Sequence, residues 1–128
     1  MCNHHYHITW DDEIDAHDEA LVDGGAPGIL NEHAIRSALA RPYHGYFKSL
    51  HEKVAALMHG IISNHGFIDG NKRTAFYLAE LLIRRSGCKL LASNDLMVDM
   101  ITSVARGEMT FEELTEWLRE QIVSVENP

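Results

Sequence analysis

The chain has 128 residues, 45 % of them apolar and only three of them proline, with a net charge of −8. That suits one soluble domain with a real core, and is too short for two. No apolar run approaches the roughly 18 residues of a membrane span, no signal-peptide pattern is present, and the acidity argues against general nucleic-acid binding.

The charge is unevenly spread. Residues 1–35 hold eight acids and no Lys or Arg, and residues 93–128 hold eight acids and two bases. Residues 36–92 hold nine bases and three acids, a net +6. A basic centre between acidic flanks would draw a polyanionic ligand to the middle of the chain, although acidic flanks also simply aid solubility. Cys2 and Cys88 lie far apart with no CxxC spacing, so no disulfide framework is expected and a reducing cytoplasm is the default setting.

Residues 1–8 read as a flexible N-terminal tail, in which His4, His5 and His7 are spaced closely enough to ligate a metal. Thr9 is a candidate N-cap, with Asp11, Asp12 and Glu13 at the positive end of a helix running to about Val22. Asp23-Gly24-Gly25-Ala26-Pro27-Gly28 breaks that helix. A second helix spans about Asn31 to Ala40 and ends before Arg41-Pro42. The aromatic stretch 43–48 reads as a packed connector. Ser49-Leu50-His51-Glu52 has capping-box spacing and opens a third helix. Its apolar stripe, Leu50, Val54, Leu57, Met58, Ile61 and Ile62, continues by period to His65, which is expected to point inward.

After a five-residue break a fourth helix runs from near Asn71 to about Ser86, with Gly87 as its stop. It is apolar nearly all round (Ala75, Phe76, Leu78, Ala79, Leu81, Leu82, Ile83), the mark of a buried central helix. Lys89-Leu90-Leu91 reads as an extended link. Ser93 or Asn94 opens a fifth helix, stopped by Gly107, and Thr110-Phe111-Glu112-Glu113 caps a sixth running to about Val123. The expectation is an all-α, six-helix domain over residues 1–128, built around residues 71–86, with no sheet.

The chemistry gathers in residues 65–74. Backbone N–H groups at the start of the fourth helix, shaped by Gly70, make an anion site. Lys72 and Arg73 oppose the helix dipole there, which suggests a negative ligand at that end. Asp69 is a hard oxygen donor suited to Mg²⁺ that also takes phosphate oxygens. His65 can accept a proton from an attacking hydroxyl. Each residue alone has a plainer role, as core histidine, turn dipeptide or solvated charge. Together they equip the stretch to handle a phosphate ester.

This stretch, His65-x-Phe67-x-Asp69-Gly70-Asn71-Lys72-Arg73, resembles the Fic/Doc motif, and in particular its Doc (death-on-curing) branch. The likeness extends to His17, Gly24-Gly25-x-Pro27-Gly28, Arg36-x-Ala38-x-x-Arg41-Pro42 and Arg84-Arg85-x-Gly87. It implies a Fic fold with His65 as general base toward a protein hydroxyl. Asp69 would hold Mg²⁺, and Gly70, Asn71, Lys72 and Arg73 would hold the phosphates of ATP. Residues 43–48 fall where the family places its target-docking flap.

AMP-transferring Fic proteins carry a second glycine where Lys72 stands and a further arginine where Phe76 stands. The departure implies the Doc reaction, with Lys72 in a catalytic role: transfer of the γ-phosphate to a translation elongation factor, halting translation. AMP transfer is the runner-up, and a catalytically idle binding module is the alternative of another class. No inhibitory [ST]-x-x-x-E-[GN] motif is read, because Ile122 precedes Glu126-Asn127 where a hydroxyl residue should stand. The resemblance then implies a cytoplasmic toxin controlled by an antitoxin whose disordered tail folds onto it.

Overall fold

Local capping chemistry decides where most of the helices begin. The computed structural model describes residues 4–125. Thr9, Ser49 and Thr110 each accept a hydrogen bond from the amide three residues on, while Asp12, Glu52 and Glu113 reach back to the cap amide. These reciprocal pairs satisfy amides that a first turn leaves without partners. Asn31 and Ser93 cap two more helices singly. The described chain forms α1 (Trp10–Ala20), α2 (Glu32–Ala40), α3 (Leu50–Asn64), α4 (Asn71–Arg85), α5 (Asn94–Ala105) and α6 (Phe111–Gln121). A 3-10 turn, Arg41–Tyr43, follows α2. This is the all-α, six-helix arrangement the sequence led us to expect.

The centre is shared between two helices. Val54, Ala55, Ala56, Leu57 and Met58 of α3 are fully buried, as are Ala75, Leu78, Ala79 and Leu82 of α4. The helix α3 packs against α2, α4, α5 and α6, whereas α4 packs against α1, α3 and α5. The expected central helix, residues 71–86, is therefore one half of a central pair with α3 as its hub. Among the described residues no helix is long and apolar enough to cross a membrane.

Four local expectations need correction. Cys88–Leu90 is a strand (β1) rather than a plain link, and it pairs antiparallel with Ile122–Ser124 (β2). The last helix accordingly stops at Gln121, because the next three residues are extended against β1. Cys88 is buried and disulfide-bonded, against the expectation drawn from cysteine spacing. Residues 1–3 lie outside the described part, as do Glu126 and Asn127, but the rest of the supposed tail is fastened down. Tyr6 N–H donates to Ser86 Oγ at 2.9 Å, and Ile8 N–H donates to the Tyr43 hydroxyl at 2.9 Å. Ile8 is buried, and the Tyr6 hydroxyl donates to Asp12 Oδ2 at 2.6 Å. The nearby histidines do not converge: His5 Nδ1 lies 2.7 Å from Lys53 Nζ, and His7 packs on the Tyr43 ring.

The segment 43–48 is packed at both ends, through the Tyr43 hydroxyl and buried Phe47, with Tyr46 exposed at its tip. Arg41 lies over the rings of both Phe47 and Phe111, tying this segment to α6.

Leu82 of α4 belongs to the buried core with no exposed surface. Leu82→Ala should lower unfolding free energy by about 2–5 kcal/mol, read from urea denaturation, with the helical circular dichroism of the folded state unchanged.

Candidate active site

Six residues, 65–70, join α3 to α4. His65, the C-cap of α3, takes the left-handed conformation (φ 48°, ψ 51°), alone among the described non-glycine residues in having positive φ. That turn ends the helical period, so His65 does not continue the inward stripe as expected. It is exposed and lines a cavity instead.

Phe67 anchors the connection. Its ring is buried and stacks on His17 of α1, with ring centroids 3.7 Å apart and planes 8° apart. Its backbone is gripped by one side chain: Phe67 N–H donates to Asn71 Oδ1 at 3.1 Å, and Asn71 Nδ2 donates to the Phe67 carbonyl at 2.9 Å. Leu30 and Asn31 N–H groups both donate to the Gly66 carbonyl, and Ile68 N–H donates to the Gly28 carbonyl. The 28–31 segment thus braces the loop from outside. A Cβ on Gly66 would fall 2.3 Å from Ile35 Cγ1, so the loop also rests directly on α2.

The start of α4 is left bare. Gly70 is its N-cap, at φ 80°, and no side chain caps the helix, unlike α1, α2, α3, α5 and α6. The first amides of a helix carry partial positive charge and accept an anion readily. Glycine suits Gly70 twice over, by its left-handed backbone and because a Cβ would lie 3.2 Å from Leu21 Cδ2.

Asp69 flanks this helix start. Its Oδ1 accepts from Gly70 N–H at 2.8 Å and its Oδ2 from Ala26 N–H at 3.2 Å. The Ala26 and Gly70 amides hold its carboxyl below the usual carboxylate range, keeping it ionised. Gly25 makes the Ala26 contact possible: its φ is 118°, and a Cβ there would come within 3.1 Å of Asp69 Oδ2. On the far side, His17 Nε2 donates to the Asp69 carbonyl at 2.9 Å.

All the residues singled out from the sequence, His65, Asp69, Gly70, Asn71, Lys72 and Arg73, line one cavity of about 740 Å³. Their side chains are not equally available. Asn71 is committed to Phe67, leaving its backbone N–H as what it offers the cavity. Arg73 donates from Nη1 to the Ala20 carbonyl at 3.3 Å. Lys72 is exposed on the cavity wall. Phe76 is half-buried against the core and brings no cation.

The donor set fits a magnesium-bound polyphosphate: the Asp69 carboxylate held ionised, with Asp23 also on the wall, a bare helix start and the cations of Lys72, Arg73 and Arg106. Magnesium commonly takes one or two protein carboxylates and completes its shell with phosphate and water oxygens, so a lone Asp69 suffices on the protein side. Sequence reasoning missed two contributors and singled out a third, His17, without giving it a role. His17 acts through a carbonyl contact that only the fold reveals. Thr102 and Arg106, at the C-terminal end of α5, line the same cavity from 29 and 33 residues beyond Arg73.

Asn71→Ala removes two hydrogen bonds to one buried residue. It should cost about 1–3 kcal/mol in urea unfolding, well above an exposed Asn→Ala change on the same helix.

A model described as the Fic/DOC family matches residues 7–83. A curated protein named "Protein kinase doc", from Escherichia phage P1, is 31% identical over 125 residues, spanning 94% of this chain and 98% of that protein. A second, named "Toxin Doc", from Mycolicibacterium smegmatis, is 31% identical over 93 residues, spanning 67% of this chain and 72% of that protein.

Proposed function

The chain belongs to the Fic/Doc family, in its Doc branch, and on that premise we propose that it is the toxin of a toxin–antitoxin module, acting as a Doc-type protein kinase. It transfers the γ-phosphate of Mg-ATP to a hydroxyl of a protein target in the cytoplasm, a translation elongation factor, and so halts translation. The observation that carries this reading is the convergence of six of the seven motif positions, His65, Asp69, Gly70, Asn71, Lys72 and Arg73, on one cavity at the one α-helix start among the described residues that has no side-chain cap.

His65 is the general base. Its exposed imidazole takes the proton as the target oxygen bonds to the γ-phosphorus, and the bond from that phosphorus to the bridging oxygen breaks, leaving ADP. Lys72 stabilises the charge on the moving phosphoryl group. The N–H groups of Gly70 and Asn71 and the guanidinium of Arg73 hold the remaining phosphates. Arg73 is steadied in that task by its contact with the Ala20 carbonyl. Asp69, ionised by its two backbone contacts, would hold Mg²⁺, which would supply positive charge against that of the phosphates. The lysine at position 72 favours γ-transfer over AMP transfer, since its side chain occupies room that a second glycine would leave open. Control comes from an antitoxin whose C-terminal segment orders on binding.

A split-label assay tests this. Purified protein, Mg²⁺ and bacterial lysate receive ATP labelled at the α- or the γ-phosphate. Label should enter one protein band from the γ position only. His65→Ala should cut the rate roughly 10²–10⁴-fold and Lys72→Ala roughly 10²–10³-fold. Label from the α position would replace the kinase with an AMP transferase. A cellular effect that survives His65→Ala would leave a binding module.

A further inference from the structure

Among the described residues, Glu13 is the one acidic side chain that is fully buried, at 1 % exposure. Neither of its carboxyl oxygens has a hydrogen-bond partner. From its place in the first turns of α1, its helix position alone would assign it to solvent beside Asp11 and Asp12. Instead it points beneath the catalytic loop. There it borders a small cavity of about 10 Å³ shared with Asn64, Gly66, Phe67 and Asn71.

A buried, unpaired carboxylate is costly, and the group avoids that cost by keeping its proton. Burial alone pushes the Glu13 carboxyl up to about 8, with no charged neighbour contributing. The cavity walls from α2, α3, the loop and α4 carry no titratable side chain, and on its own helix His17 lies one turn further on. A cavity of this size is of the order of one water, provided the water finds two to four polar partners. Partners are present. Asn71 Nδ2 carries one hydrogen beyond that given to the Phe67 carbonyl, and Asn64 Nδ2 one beyond that given to the Ala34 carbonyl. A neutral carboxylic acid supplies both a donor and an acceptor.

We propose that Glu13 is a positioning residue for the catalytic corner: as a neutral acid it shares a bridging water with Asn71 and ties α1 to the loop from beneath. Asn71 then has three duties, to the Phe67 N–H, to the Phe67 carbonyl and to this bridge. Loss of the bridge removes one of the three contacts that fix the amide and slackens the loop that carries His65 and Asp69.

Two variants separate this from simple space-filling. Glu13→Gln keeps the shape and the hydrogen bonding but cannot ionise; Glu13→Leu fills the space without polar atoms. The folded acid holds its proton to a higher pH than the unfolded one. The wild type should therefore lose melting temperature relative to Glu13→Gln as pH rises from about 4.5 through about 8, and level off above. Parallel melting curves across that range would overturn the neutral buried acid. Amide exchange reads the bridge without any assumption about activity. Phe67 N–H should exchange about tenfold faster in Glu13→Leu and at the wild-type rate in Glu13→Gln. Equal protection in all three proteins would overturn the positioning role.

The activity readout rests on the kinase reading. There, Glu13→Leu should lower kcat about tenfold with KM little changed, and Glu13→Gln should restore it. An inactive wild type with the predicted exchange pattern would refute the kinase and leave the brace standing. A Glu13→Leu enzyme with wild-type kcat would refute the brace while leaving the kinase.

Discussion

The catalytic end of the molecule depends on reversing the chain between α3 and α4 without covering the first amides of α4. A Ser or Asp at the cap position would close the turn more simply, and it would also fill the site with its own oxygen. The chain closes the turn another way. It places left-handed residues at both ends, His65 and Gly70, and lets Asn71 hold Phe67 from one turn inside the helix. The left-handed histidine costs on the order of 1–2 kcal/mol. Burial of the Phe67 side chain, worth about 1.5–3 kcal/mol, offsets that cost, and the paired hydrogen bonds add to the balance. Strain is thus concentrated on the residue whose side chain has to face the cavity.

The meeting of α1 with α4 resolves an oddity in the charge pattern. Arg73 opposes the dipole of its own helix, but its guanidinium reaches the carbonyl of Ala20, at the negative end of α1. A cation there is favourable. One helix end therefore steadies a charge that is set against the dipole of another. The basic middle of the sequence is accordingly local at the cavity, where Lys72, Arg73 and Arg106 share the walls with Asp23 and Asp69.

What the sequence discloses is what is decided locally. Thr9, Ser49 and Thr110 mark helix starts because their partners lie three residues away. The motif from His65 to Arg73 is compact enough to be read whole. Errors arise where the deciding neighbour is distant. The period of α3, extended one step too far, turned His65 inward, although a left-handed cap had already ended that period. The three-residue strands β1 and β2 have no pattern of their own and exist because the fold brings Cys88 opposite Ser124. Glu13 is buried by α2, α3 and the loop together. His17 and Arg106 join the site by the same long-range packing. The motif positions could be read as a group, whereas the residues that support them could not.

The pairing of β1 with β2 has a mechanical consequence. Tyr6 N–H is bonded to Ser86, and Val125 N–H to the Gly87 carbonyl. The chain entering at residue 6 and the chain leaving at residue 125 are thus fastened to adjacent residues of one turn. That turn closes the far end of α4, about 22 Å along the helix from Gly70, since fifteen residues rise 1.5 Å each. A pull applied through either flank would load the Ser86–Gly87 turn and spare the corner at His65. The turn that fastens both described flanks thus lies a full helix length from the bare start of α4.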